Sequence, residues 1–162
     1  GAYIVEAKPN TETALREVCS KASKCVKDTS LSYQITLNAA VTLSSNLTVP
    51  KNVSLTLASA ITVPSGLGLA NNGYIKANAA MNVAGMLSNQ GNLEFGVNQD
   101  LSGVMLNNGD LKLLGSVTAA FGDYSGTGTL GVYKDGTDPF TRLSGVSRCS
   151  STFWDTPPGL TA

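Results

Sequence analysis

The sequence contains no histidine and only three cysteines in 162 residues. Without histidine, neither a Ser-His nor a Cys-His nucleophile pair can form, and the commonest nitrogen ligand of zinc is missing. The cysteines, Cys19, Cys25 and Cys149, are too few for a disulfide scaffold and lack zinc-finger spacing. We therefore expect no catalytic centre of these types, no metal site and no cofactor.

Charge is also scarce. Charged residues make up 14% of the chain, and 11 basic residues balance 11 acidic ones, so the net charge is zero. Such a chain has no field that would collect nucleic acid or anionic lipid. No apolar run approaches the roughly 18 residues of a membrane span. We expect a partner other than nucleic acid and no membrane insertion.

The strongest pattern that is present is an internal repeat of 18 to 20 residues. The segments LANNGYIKA (69–77), LSNQGNLEF (87–95) and MLNNGDLKL (105–113) align at a spacing of 18. Two apolar columns follow the same frame: Ile35, Leu55, Ile75, Leu93, Leu111 and Leu130, and, two residues later, Leu37, Leu57, Ala77, Phe95, Leu113 and Val132. Repeats of this length indicate a stacked architecture.

Two further apolar patterns complete each repeat. In successive repeats the second strand carries Val41 and Leu43, Ile61 and Val63, Met81 and Val83, Leu101 alone, then Val117 and Ala119. The third strand of each repeat carries Leu47 and Val49, Leu67 and Leu69, Gly85 and Leu87, then Gly103 and Met105. Three short strands of period two suit a three-sided coil, and coils stacked about 4.8 Å apart share one core. The pattern predicts a parallel β-solenoid; the alternative is an antiparallel sandwich of unrelated hairpins.

Asparagine recurs within the repeat at Asn71, Asn89 and Asn107. Stacked side-chain amides can pair donor with acceptor from one coil to the next, which predicts an internal structural ladder. Ligand binding by these residues is the alternative. The glycines that follow, Gly73, Gly91 and Gly109 among them, are expected to supply backbone freedom at a bend.

Residues 10–24 place Leu15, Val18, Cys19 and Ala22 at the spacing of an amphipathic helix, capped by Asn10 or Thr11. This helix is well placed to cover the open end of the core. We expect a disulfide between Cys19 and Cys25, which requires the helix to end before Cys25; reduced thiols or a link to Cys149 are the alternatives. A bridge would indicate an oxidising compartment outside the cytoplasm.

The chain divides into a helical cap plus solenoid at 1–132 and an irregular tail at 133–162, which is rich in Gly, Pro and Ser. Tyr133, Phe153 and Trp154 are its candidate binding side chains. Outward positions of the third strand, Gly68, Met86 and Val104, form an apolar stripe after Thr48. We expect the tail or a second subunit to cover that stripe.

The order of a short strand (Tyr3 to Val5), a helix and strands ending in TVPKNVSLTL (48–57) resembles the opening of right-handed parallel β-helix proteins of the pectin-lyase-like type. Phage tailspikes, polysaccharide lyases and secreted adhesins share that opening. The resemblance spans roughly residues 3–132 and rests on strand, turn and asparagine patterns. It implies an all-β fold: a single-stranded right-handed parallel β-helix (β-solenoid) of about five coils with an N-terminal capping α-helix.

Enzymes of that type imply clustered acidic residues, or an arginine beside a calcium site, on one outer face. Polysaccharide cleavage needs two carboxylates about 5 to 10 Å apart, or a base with a cation. Outward positions of the second strand read Thr42, Thr62, Asn82, Asp100 and Thr118, with one carboxylate; those of the first strand read Thr36, Thr56, Lys76, Glu94 and Lys112. The latter alternation predicts a salt-bridge ladder.

The expected function is a non-catalytic structural or binding module, extracellular, at a cell surface or on a virion. It would act as a rigid spacer or recognise a carbohydrate or protein receptor. One alternative is a shortened polysaccharide lyase or hydrolase that uses Asp100 or Glu94. The other is a rod that assembles as a homotrimer through Met86 and Val104.

Overall fold

The computed structural model describes residues 3–25, 31–114 and 117–132, without the side chains of Tyr3 and Val132. These residues form a parallel β-solenoid of about five turns with one helix near the N-terminus. The predicted fold class is therefore confirmed. The proposed tail, 133–162, lies outside the described residues, as do Tyr133, Cys149, Phe153 and Trp154.

Three parallel sheets form the sides of the solenoid. The first sheet contains, in spatial order, β1 (Tyr3–Ala7), β2 (Leu31–Leu37), β5 (Val53–Leu57), β8 (Tyr74–Ala77), β11 (Asn92–Phe95), β13 (Asp110–Leu113) and β15 (Thr129–Val132). The second contains β3 (Val41–Thr42), β6 (Ile61–Val63) and β9 (Met81–Val83). The third contains β4 (Leu47–Val49), β7 (Gly68–Asn71), β10 (Met86–Asn89), β12 (Gln99–Asn107) and β14 (Ala119–Ser125).

The apolar columns predicted from the repeat form the core. In the first sheet the column members face one another on successive coils, and each is at most 1% exposed: Ile35, Leu55, Ile75, Leu93, Leu111 and Leu130. Each coil thus shields the next from solvent, and burial of a leucine-sized side chain contributes about 1.5–3 kcal/mol. The hairpin alternative is wrong, because every strand pair in the described chain is parallel.

Two parts of the predicted register are wrong. Leu47 lies opposite Leu69, and Val49 lies opposite Asn71, so the third sheet begins two residues out of the expected frame. Five residues, 64–68, separate Val63 from Leu69, whereas three, 44–46, separate Leu43 from Leu47, and a short apolar pattern does not reveal this difference. At the other end Gln99 and Leu101 lie opposite Ala119 and Phe121, which excludes the expected pair Val117 and Ala119.

Helix α1 (Glu12–Lys24) covers the N-terminal end of the core, as predicted. The hydroxyl of Thr11 accepts a hydrogen bond from the Ala14 backbone N–H at 3.1 Å, which caps the first turn. Leu15, Cys19 and Ala22 are buried. An apolar helical face therefore closes the core of the first coil and shields its inward side chains from solvent.

The expected Cys19–Cys25 disulfide is wrong, because both thiols are free in the structure. The helix continues to Lys24 and Cys25 is its C-cap. Six helical steps separate two Cα atoms by about 9 Å, whereas a disulfide needs less than about 7 Å. The argument for an oxidising compartment therefore loses this support.

Candidate functional site

Asn71, Asn89 and Asn107 lie in register on three consecutive coils and are fully buried. The Asn71 side-chain amide donates to Oδ1 of Asn89 at 2.9 Å, and that of Asn89 donates to Oδ1 of Asn107 at 3.0 Å. Each also donates to a backbone carbonyl of the next coil, at Asn92 and Asp110. Because a buried amide without a partner costs about 1–3 kcal/mol, this asparagine ladder stabilises the core.

The two ends of the asparagine ladder differ. At its start the preceding position in the third sheet is Val49, and Oδ1 of Asn71 accepts from the Gly73 backbone N–H at 3.1 Å. At its end Asn107 donates to the hydroxyl of Tyr124 at 2.9 Å. Burial raises the pKa of Tyr124, and this hydrogen bond opposes the rise. The sequence pattern had marked neither end.

The glycines after the ladder are required for space. A Cβ on Gly91 would overlap the backbone carbonyl of Gly73, and one on Gly109 would overlap that of Gly91. Among the glycines of the described chain, positive φ occurs only at Gly66 (+86°) and Gly126 (+117°). The expected reason, backbone freedom, is therefore wrong for Gly91 and Gly109, and close approach of neighbouring coils is the cause.

The predicted salt-bridge ladder on the first sheet is absent. Glu94 does lie opposite Lys76 and Lys112. Its carboxylate instead accepts a hydrogen bond from the hydroxyl of Tyr74, which reaches it diagonally from the neighbouring strand. In residues 3–25, 31–114 and 117–132 the ion pairs within 4.0 Å are Arg16–Glu12 and Lys21–Glu17.

The second carboxylate named from the sequence, Asp100, lies in β12. Its neighbour on the following coil is Ala120, whereas Thr118 had been expected there. The rest of that outward row, Thr42, Thr62 and Asn82, is in register as predicted. Glu94 and Asp100 therefore belong to different sheets, in β11 and β12.

The apolar stripe forms a shallow groove on the third sheet. Gly68, Met86 and Val104 are in register, and Met86 is 42% exposed. A depression of about 480 Å³ runs along them, here called the Met86 groove, and is lined by Asn46, Gly66, Leu67, Gly68, Ala84, Gly85, Met86 and Val104. Asn46 Oδ1 accepts from the Gly68 N–H at 2.9 Å, so Asn46, and not Thr48, adjoins the stripe.

A larger groove lies between α1 and the first coil. This helix groove has a volume of about 620 Å³ and two walls: Arg16, Cys19, Ser20 and Ser23 of α1, and Asn46, Leu47, Thr48, Pro50 and Lys51 of the first coil, with Asn72 behind them. Hydroxyls, amides and two cations line it over a floor that includes buried Cys19 and Leu47. Burial raises the pKa of Cys19 to about 11, so the thiol stays protonated at neutral pH.

Two side chains of α1 bind the edge of the first coil. The Glu12 carboxylate accepts from the backbone N–H of Ser44 at 2.7 Å and from its hydroxyl at 2.9 Å. The Arg16 guanidinium donates to the carbonyls of Asn46 at 2.9 Å and Ser45 at 2.6 Å. The Ser44 N–H, together with Arg16, holds the pKa of Glu12 below its usual value. The helix is therefore fixed to the coil by polar contacts as well as by its apolar face.

Sequence reasoning missed three polar side chains. Buried Gln99 accepts from the Met81 N–H and donates to the Ala79 carbonyl, both at 2.9 Å. Arg16 and Tyr124 were also missed. Gln99 and Tyr124 occupy columns that are apolar in other coils, and a break in a column is the signal that could have found them. Nothing in the repeat marks Arg16.

The described residues contain no cluster of three or more His, Cys, Asp or Glu side chains placed to hold a metal ion. Helix α1 is too short and too polar to cross a membrane, and no other helix occurs in the part of the chain that the structure describes. No protein-family model, curated protein or solved structure matches this chain.

Proposed function

We propose that the chain is a non-catalytic structural and binding module of an extracellular, cell-surface or virion-associated protein, and that its sides recognise a carbohydrate or a protein receptor. The observation that carries this proposal is the outward row Thr42, Thr62 and Asn82, which stands in register on three successive coils. Hydroxyl and amide groups repeated at about 4.8 Å suit a ligand that itself carries hydroxyl groups.

Rigidity supports the same role. The first and third sheets bond successive coils along the rod, the second sheet joins the first three coils, and the asparagine ladder adds side-chain bonds inside the core. Such a rod holds its surface groups at fixed distances and lowers the entropy lost on binding. We also propose that it belongs to the right-handed pectin-lyase-like class; the succession of β1, α1 and three-stranded coils supports this assignment.

A glycan array and a turnover assay test the proposal together. We expect the full chain to retain one class of immobilised glycan or receptor and to release no reducing ends from acidic or neutral polysaccharides. Thr62→Lys, which places a long cation in the outward row, should weaken retention, whereas Ser54→Lys on the first sheet should not. Turnover that disappears in Asp100→Asn or Glu94→Gln would establish the enzyme alternative instead.

Assembly through the Met86 groove is the second candidate, because the exposed apolar side chain of Met86 lies in that groove with little around it that is polar. A homotrimer formed through this surface would dissociate in Met86→Lys. Ile4→Lys is the matched control, since Ile4 is 57% exposed but lies on the first sheet. Sedimentation of wild type and the two variants measures their masses in solution. Equal masses for all three would exclude a trimer formed through the Met86 groove.

A further inference from the structure

We infer that the helix groove binds an extended peptide segment of a partner protein, which adds as a strand to the free edge of β4 and carries an acidic side chain. This inference rests on the proposed role as a binding module and gives that role a partner class and a location. It concerns the N-terminal end of the rod, away from the outward row of the second sheet.

The edge of β4 is the starting point. Within residues 3–25, 31–114 and 117–132, β4 is the first strand of the third sheet and pairs with β7 on one side only. The first sheet continues one strand further, because β1 pairs with β2. On the third sheet the corresponding place beside β4 is the helix groove, between the strand and α1.

The register shows which backbone groups face the groove. The Val49 carbonyl accepts from the Asn72 N–H at 2.9 Å, so the backbone groups of Val49 point toward β7. Because N–H and C=O of alternate residues point to opposite edges of a parallel strand, those of Thr48 point away from β7 and toward the groove. Thr48 is exposed. One donor and one acceptor are thus presented for strand addition.

The neighbouring edge groups already have partners from α1. Glu12 binds the Ser44 N–H, and Arg16 binds the carbonyls of Ser45 and Asn46. The helix therefore binds three backbone groups of the segment that leads into β4. Beyond it, at Thr48, the helix presents the short side chains of Ser20 and Ser23, and the two walls are separated by the groove.

Charge decides the chemistry of the peptide. Among the described residues that line the groove, Arg16 and Lys51 are the charged ones, and both are cations. The Arg16 charge is balanced by Glu12 at 2.8 Å. Lys51 is exposed and is in neither ion pair of the described chain. A peptide with one Asp or Glu near Lys51 complements this wall.

The probe is a displayed library of random ten-residue peptides, selected on the immobilised full chain. We expect enriched sequences to combine β-branched residues with an acidic residue and to bind Ser20→Trp at least about tenfold more weakly, since an indole fills the groove. Thr13→Trp is the matched control on the same helix and should bind as wild type. Melting temperatures confirm that both variants are folded.

Two further substitutions separate strand addition from general adhesion. Thr48→Pro removes the N–H that faces the groove and should weaken a selected peptide about tenfold, whereas Thr48→Val keeps it and should change little. Lys51→Ala should weaken binding about two- to fivefold, as expected for an exposed ion pair, and Lys24→Ala should not. Equal binding to Thr48→Pro and Thr48→Val would overturn strand addition.

Hydrogen exchange of the Thr48 amide identifies the occupant. We expect fast exchange in the full chain alone and slow exchange with a selected peptide. Protection in the chain alone, whether constant or rising with protein concentration, would overturn the inference in favour of the chain's own segment or a second copy. If selection fails while Ser20→Trp retains glycan or receptor binding, this inference falls and the proposed function stands. If selection succeeds but the chain binds no glycan or receptor, the peptide site stands and the proposed function falls.

Discussion

The side-chain amide of Asn107 donates a hydrogen bond of 2.9 Å to the hydroxyl of Tyr124, and this bond ends the asparagine ladder. Tyr124 lies in the column of Leu87 and Met105, which is two residues before the ladder along each strand. A residue of the apolar core thus supplies the last polar partner. The ladder and the apolar columns therefore depend on each other for stability.

Removing the middle of the ladder should be costly. Asn89→Ala deletes the acceptor of Asn71 and two donors, and it leaves buried groups unpaired in two neighbouring coils. We expect a loss of about 2–4 kcal/mol in the free energy of unfolding. Asn82→Ala, at an exposed site, should cost less than about 0.5 kcal/mol. Urea unfolding of both variants measures the difference, and similar midpoints would contradict the structural role.

The glycine column should be intolerant of a methyl group. Gly91→Ala brings a Cβ onto the backbone carbonyl of Gly73, which no side-chain rotation can relieve. We expect a loss of about 3 kcal/mol or more, with a lower soluble yield. A Cβ on Gly66 would have no atom within 4 Å, so Gly66→Ala should lose only the free energy needed to hold an alanine at a φ of +86°, about 1–2 kcal/mol. The melting temperature of Gly91→Ala should therefore be lower than that of Gly66→Ala. The opposite order would show that neighbouring coils can separate locally to make room for the methyl group.

Alkaline pH should destabilise the fold through Cys19. Its pKa is raised from 9.0 to about 11 by burial, so the folded chain keeps a proton that the unfolded chain releases. The contribution of Cys19 to the free energy of unfolding is therefore fully present below pH 9. About 2 kcal/mol of it is lost as pH rises toward 11. Unfolding of Cys19→Ala between pH 8 and 11 should show a shallower slope than that of wild type. An unchanged slope would mean that other groups, such as buried Tyr124, account for it.

Acidic pH should act through Glu12. Its pKa lies below the ordinary value of 4.5, first because the Ser44 N–H donates to the carboxylate and then because Arg16 does. The contribution of Glu12 is therefore present above that ordinary value and is lost as pH falls through the lowered one. Glu12→Gln should flatten the acid limb of stability against pH. Glu17→Gln, at an exposed ion pair with Lys21, should leave it steep.

The first sheet was the easiest part to predict. Its inward residues, such as Leu55 and Leu93, repeat at intervals of 18 to 20 because each coil must bury the same side of the same strand. Such a column survives small changes in the turns between strands. The fold class and the position of α1 follow from it with only elementary periodicity.

The third sheet was harder because its register depends on turn length. Leu47 and Val49 look like any other apolar pair, yet Val49 stands where the later coils have asparagine. The contacts of Arg16 with Ser45 and Asn46 join residues about thirty positions apart and repeat nowhere else. The helix groove could not be predicted for that reason, since a feature at one end of a rod leaves no periodic trace.

All three amides of the ladder donate in one direction, toward the C-terminal coils. Val49 precedes the first and offers no polar side chain, and Tyr124 receives the last donated hydrogen. A coil duplicated between these two positions would inherit a donor above and an acceptor below. A coil appended beyond either would meet a hydrocarbon or an aromatic ring instead, so duplication of an internal coil extends the ladder, whereas a coil added beyond either end of it does not.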